Sequence, residues 1–409
     1  MKQVTRHHVT DYQACIHALK QPDLTQALYD EAALMMSRVL VNLHGQDHRK
    51  RRLVEGTIFR KDVFLHYEKN FLPKTLEETI APFLAAGHGD LIDIGYRVMM
   101  NLTVDFAGID RPERSKEETS ELLRLLKEFS LAPALGQSLE DDIEPKKVRI
   151  RAAMDQFERR FLLPSKARRE AMLADVEAGV MTQKDLPDDV LMALILGRDR
   201  LAMTREEFLQ EGIFYMLAGA HTTIHSLSHA MHELFQWLDA NPEDKERIRQ
   251  DPFFIQRCVF ESLRLHPSSP VARRRALCPV TLADGSKMSE GDVIDVDLRA
   301  ANQSPDLFGP EPQKFNPHRI ASGIQSPYGL SMGFGMHACI GRNLAMGVEP
   351  KENSDPTTHQ YGTVPLIVEA LLRCGVQPDP NGKRRKDEAI TRVTWAEYPV
   401  IFRPEAAFL

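Results

Sequence analysis

No stretch of the 409-residue sequence approaches the roughly 20 consecutive apolar residues that a membrane-spanning helix needs. The opening "MKQVTRHHVTDYQAC" has no apolar centre of the kind a secretory leader requires. A cytoplasmic protein without a membrane anchor is expected. Excess positive charge is also missing: 52 Lys and Arg stand against 58 Asp and Glu. The chain therefore offers no overall basic field for nucleic acid. Cysteine is sparse, with five residues scattered at 15, 258, 278, 339 and 374. None forms a C-x-x-C pair, so neither a zinc knuckle nor a disulfide framework is indicated. Aromatics make up only 7%, but hydrophobic residues reach 43%, enough for a large core.

What is present is mostly helical in pattern. Leu76–Leu84, Leu91–Phe106, Ser115–Phe129, Val148–Phe161 and Leu186–Leu196 carry apolar residues at helix spacing. Thr204, with Glu207 three residues on, fits a capping box and opens a much longer segment reaching Leu238 before "NP". After Pro267 the character changes. "VTLADGSKMSEGDVIDVDL" predicts two short strands around a turn, and Ser304 to Pro327 is irregular and proline-rich. The fold class expected is mainly α with a small β component, in a single domain over 1–409.

One cysteine stands apart. In "SMGFGMHACIGRNLAM", Cys339 lies among Gly333, Gly335 and Gly341 and just before a predicted helix. Backbone N–H groups at a helix start stabilise a thiolate, and glycines let the chain curl closely around it. A lone thiolate with no partner ligands suits a metal whose other positions are already filled, as in haem, although a buried inert thiol fits the loop equally well.

"GFGMHACIGRNLA" resembles the haem-ligand signature of the cytochrome P-450 family, with Gly335, His337, Cys339, Gly341, Leu344 and Ala345 in matching places. Met332 stands where the family usually has Phe. Further motifs follow in the family's order. "ESLR" resembles its E-x-x-R motif, giving Glu261 and Arg264, and "FNPHR" supplies Arg319 as the second arginine of that ion-pair set. His48 and Arg52 in "HRKRR" match the pattern that holds a haem propionate, and Arg274 resembles another propionate ligand. "AGAHTT" in the long segment resembles the family's oxygen-side motif, where Gly219 makes room for the flat cofactor and Thr222 is the alcohol. The family's acid is replaced by His221, which is either a proton relay or a structural substitution. His225, His229 and His232 follow and are read as solvated or core residues.

The resemblance implies the P-450 fold, haem b with Cys339 as the metal ligand, and His48, Arg52, Arg274, His337, Gly335 and Gly219 around the cofactor. It implies insertion of one oxygen atom from O2 into a small apolar organic substrate, by hydroxylation or epoxidation. Electrons would come from a separate ferredoxin or flavodoxin-like donor with its reductase, and Arg49, Lys50 and Arg51 could form a docking face for it. Substrate would lie against 217–223 and 268–272, with loops near 24–43 and 131–145. Because His221 replaces the acid, peroxide-driven oxidation, dehydration or isomerisation is the alternative, with non-catalytic haem binding a third possibility. Against the family pattern, the amino terminus reads as short, and prolines at 350, 356 and 365 predict an inserted loop about 349–364.

Overall fold

The long apolar segment becomes one helix of 36 residues, Arg205–Ala240, in a computed structural model that describes residues 4–321 and 326–407. Thr204 caps it, accepting the Glu207 N–H, while the Glu207 side chain accepts the Thr204 N–H. Ile213, Met216, Leu227 and Met231 are fully buried along it, so the helix runs through the core rather than over it. The helix Leu91–Ala107 crosses it closely. A Cβ at Gly219 would meet Thr103 Cγ2 at 2.7 Å, and one at Gly95 would meet Ile224 at 3.4 Å. Small residues thus set the spacing of this pair.

The helices flanking it follow the pattern with instructive shifts. Leu76–Leu84 lengthens to Leu72–Ala86, and Leu186–Leu196 shortens to Val190–Leu196, which Asp189 caps by accepting the Met192 N–H. Val148–Phe161 becomes Glu144–Phe157, followed by a wider turn, Glu158–Leu162, and then Leu163–Glu177. Pro164 falls in the first turn of that last helix, where its missing N–H costs nothing.

The β component is small, as the sequence suggests, and is drawn from both ends of the chain. A four-stranded sheet runs in the order Arg6–Val9, Val293–Asp297, Val271–Ala276, Leu24–Gln26. Its first pair is parallel, with Arg6 opposite Val293, and the others are antiparallel. Tyr12, Cys15 and Leu19 of the helix Tyr12–Lys20 pack with Ile294, Val296 and Phe308 in a second core beside this sheet. His88–Asp90, Pro399–Phe402 and Val376–Pro378 form a further sheet, and two hairpin-like pairs complete the set. The irregular stretch from Ser304 carries one short helix, Pro305–Phe308, and its residues 322–325 lie outside the described residues. Among the described residues no helix is long and apolar enough to cross a membrane.

Beyond the cysteine loop the helix Arg342–Met346 stops after five residues, and Thr363–Arg373 starts anew. Gly347 and Gly362, at φ +74° and +90°, bring the two ends of the intervening excursion into contact. Gln256 donates to the carbonyls of Met346, Val348 and Tyr361, and Glu68 accepts the N–H groups of Tyr361 and Gly362.

Candidate functional site

Cys339 is held at the end of a tight turn, Gly335–His337. Its own N–H donates to the Met332 carbonyl at 2.9 Å, which closes the loop without using the side chain. The thiol has exposed surface, and that surface faces a cavity of about 330 Å³. Burial pushes the thiol up, while the Gly341 N–H and the charges of Arg52 and Arg342 pull it back. The helix that follows has only five residues, so the support to the sulfur comes from one amide and two guanidiniums rather than from a long dipole.

The glycines divide by role. Gly333 and Gly341 line the cavity with Cys339. Gly335 does not line it: at φ +69° a Cβ there would meet the Leu19 carbonyl oxygen at 2.7 Å. It is glycine because the turn rests on the end of the helix Tyr12–Lys20. Gly219 lines the cavity, but the space its missing Cβ leaves is filled by Thr103.

Four of the sequence-derived cofactor residues come together on this cavity. The rings of His48 and His337 approach edge-on, with centroids 4.7 Å apart. Arg52 donates to the Ala338 carbonyl at 2.8 Å, and Arg274 donates to Gln26 Oε1 at 2.7 Å. Burial and neighbouring positive charge push His48 down to about 4 and His337 down to about 3, and burial lowers Arg274 to about 10. Both ring nitrogens of His337 are buried without a partner. Among the described residues, neither Arg52 nor Arg274 makes an ion pair with a carboxylate. Arg274 is buried and Arg52 half-buried, and an anion would stabilise positive charge so placed. The two propionates of haem b fit that role, and the accessible sulfur fits its iron.

On the long helix, Thr222 Oγ1 donates to the Ala218 carbonyl at 2.7 Å, and the Thr222 carbonyl accepts from Ser226 and Ser268. These bonds gather three hydroxyls beside the cavity, two of them one turn apart on an unbroken helix. His221 also lines the cavity and is 7% exposed. Its Nε2 lies 3.2 Å from His225 Nε2 and 3.5 Å from Arg392 Nη1. Burial and the Arg392 charge push it down to about 3, so the ring is neutral near pH 7. His225 and His229 are buried core residues, and His229 stacks on His266 at 4.3 Å. His232 reaches Tyr398.

A depressed histidine makes acid destabilising. The unfolded chain binds a proton near pH 6.5, the fold only near pH 3, so His221 contributes stability above pH 6.5 that is lost as pH falls towards 3. At pH 5 the loss is about 2 kcal/mol. The drop in urea stability between pH 7.5 and 5.0 is expected to be smaller by about that amount in His221→Asn than in the wild type. An equal drop in both would mean that the ring is already charged in the fold.

Glu261, Arg264 and Arg319 meet behind the cysteine loop. Arg264 donates to both Glu261 oxygens at 2.7 Å, and Arg319 Nε donates to Glu261 Oε1 at 3.0 Å. Arg264 is fully buried and also donates to the carbonyls of Asn302 and Pro312. Arg319 holds the carbonyls of Phe308, Pro310, Glu311 and Lys314. One carboxylate thus organises a stretch with little secondary structure.

The basic cluster holds a correction. Arg49 and Lys50 are exposed, but Arg51 is 4% exposed and pairs with Glu211 of the long helix. It belongs to a buried set with Glu55, which burial and the Glu211 charge push well up, and with Tyr215, which donates to Glu55. Arg51 is unavailable to a docking partner because its own helix turns it inward.

Of the expected substrate regions, 217–223, 268–272 and residues between Gln26 and Val41 line the cavity, but 131–145 contributes only Pro133. Met99, Leu102, Phe106 and Arg392 were not anticipated. The first three follow the apolar stripe of their helix, a signal that does not separate core from cavity. Arg392 carries no local signal.

A family model described as Cytochrome P450 matches residues 92–348. Pulcherriminic acid synthase of Bacillus subtilis (strain 168) is 24% identical over 355 residues, covering 84% of this chain and 80% of that protein. Cytochrome P450 monooxygenase PikC of Streptomyces venezuelae is 31% identical over 161 residues, or 39% of this chain and 36% of that protein. The crystal structure of CalO2 superposes with a TM-score of 0.71 at 20% identity, covering 97% of this chain and 90% of the other.

Proposed function

The chain belongs to the cytochrome P450 family, whose members bind haem b and act as oxidoreductases, and from that premise we propose the following reaction and residue roles. The protein inserts one oxygen atom from O2 into a small apolar organic molecule, by hydroxylation or epoxidation. Two electrons arrive from a separate ferredoxin or flavodoxin-like carrier. Cys339 would ligate the haem iron through its sulfur, and His48, Arg52, Arg274 and His337 would hold the propionates. The observation that carries this reading is one cavity bounded by an accessible thiol, by the arginines and imidazoles of Arg52, Arg274, His48 and His337 without a carboxylate, and by the long helix at Thr222.

Bound haem supplies the one-electron and O2 chemistry, and thiolate donation favours O–O cleavage. The chain's own residues orient, exclude and move protons. Met99, Leu102, Phe106 and Leu217 offer the substrate an apolar wall. Thr222 spends its hydroxyl proton on the Ala218 carbonyl, which leaves its oxygen free to accept from water in the cavity. Ser226 and Ser268, 3.0 Å apart, continue the line of hydroxyls beside it. Burial and the Arg392 charge keep the His221 ring neutral near pH 7.

A buried imidazole facing Arg392, rather than a carboxylate, at position 221 supports a second reading, in which the same haem-thiolate centre runs on peroxide or carries out dehydration or isomerisation. Reconstitution with ferredoxin, reductase and NAD(P)H separates the two. On the first reading, product forms with NAD(P)H, and Thr222→Val lowers the product formed per NAD(P)H consumed several-fold while O2 uptake continues. Unchanged coupling in Thr222→Val would remove that hydroxyl from the proton path. Product from peroxide alone, with none from NAD(P)H, would install the second reading.

A further inference from the structure

Arg392 is 6% exposed and lines the cavity, yet it has no acidic partner among the described residues. Its recorded polar contacts are Gln137 Oε1 at 3.3 Å and His221 Nε2 at 3.5 Å, both neutral and both long. A guanidinium donates only, so if the His221 contact is made, His221 Nε2 accepts and the ring's proton sits on Nδ1. That Nδ1 is buried without a partner, as is Nδ1 of His225. The result is a permanent charge on the wall of a mostly apolar cavity, met only by two long, neutral acceptors and by no carboxylate, beside a buried donor without a partner.

Arg392 and His221 meet the cavity from different segments than the group assigned to the propionates, with Tyr29 near both Arg274 and Arg392. The positive charge felt by His337 comes from Arg274, His48, His44 and Arg52, whereas that felt by His221 comes from Arg392. Arg392 also borders a second, much smaller cavity of about 30 Å³ beside His225 and His266, room for about one water. The larger space is where an anion of any size can reach the guanidinium.

We infer that the substrate carries a carboxylate, anchored by Arg392 at the His221 end of the cavity, with its apolar body directed along Met99, Leu102 and Phe106. This rests on the haem-enzyme reading above and narrows its substrate class from apolar compounds to apolar acids. The anchor fixes one end of the molecule, so the position that reacts is set by distance from the acid group.

The test uses ferric holoenzyme and three probe acids: dodecanoate, 4-phenylbutyrate and dehydroabietate, each beside its primary amide. Binding is read by the substrate-induced shift of the Soret band and, independently of any haem signal, by equilibrium dialysis. At least one acid is expected to bind about tenfold or more tighter than its amide, as a charge-assisted bidentate contact gives. Arg392→Gln is expected to erase that preference by weakening the acid alone, and Arg392→Lys to restore part of it. Amides binding as well as acids throughout would overturn the inference. So would a preference that survives Arg392→Gln, or loss of haem from that variant, which would assign the guanidinium to the cofactor. A missing thiolate spectrum in the starting sample would instead count against the haem-enzyme reading, while dialysis would still report the acid preference.

Discussion

Cys339→Ala is expected to fold with near wild-type stability, to lose the strongly red-shifted Soret band of reduced, CO-treated protein, and to show turnover at background. The two halves of that result have separate causes. The loop is closed by the Cys339 N–H on the Met332 carbonyl, a bond that alanine keeps. The thiol itself faces the cavity and packs into no core, so removing it costs within the roughly ±0.5 kcal/mol typical of such sites. Electron donation to the metal, by contrast, has no substitute. Among the described residues Cys339 is the only cysteine on the cavity, since Cys15 and Cys258 are buried elsewhere and burial pushes both of their thiols up. A red-shifted band persisting in Cys339→Ala would show that the sulfur ligand is another residue. Retention of haem with an unshifted band would show that the cation cluster holds the cofactor by itself.

Glu261→Ala is expected to lower unfolding free energy by about 3–5 kcal/mol, the range for stranding a buried charge. Arg264 is fully buried and would keep its charge with only the Asn302 and Pro312 carbonyls to satisfy it. Arg319 would lose its only ion pair among the described residues. The backbone N–H of Asn316, which also donates to Glu261, would be left open. Glu261→Gln keeps the shape and removes the charge, and should fall between. Urea denaturation followed by circular dichroism measures both. The exposed pair Lys74–Glu78 is the internal control: breaking it should change stability by about 0.5 kcal/mol or less. A comparable small change for Glu261→Ala would mean that the triad is dispensable.

Features written in local pattern were legible in the sequence, and features made by distant partners were not. The long helix announced both its start, through Thr204 and Glu207, and its course, through its apolar spacing. The cysteine loop and the Glu261, Arg264 and Arg319 motifs were visible because a few residue types at fixed spacing carry them. Arg51 was misread as a surface cation because its partner Glu211 lies 160 residues away, and a run of five basic residues looks solvated from inside. Val271–Ala276 escaped because three arginines in six residues mask a strand whose side chains reach the cavity and Asp295. Arg392 became visible only when the fold brought it to His221, 171 residues earlier in the chain.

The excursion between the cysteine helix and the next one offers a different kind of freedom. Its two ends touch at Gly347 and Gly362, and the bonds from Gln256 and Glu68 all fall at that base. The tip is held by its own turns around Asp355 and by Lys69 on the Thr357 carbonyl. Both neighbouring helices are therefore positioned before the tip is specified. In engineering terms this is a graft site: the tip can be shortened, lengthened or joined to another polypeptide, for instance an electron-carrier domain, without displacing the cysteine. Linker length then becomes a design variable independent of the haem pocket.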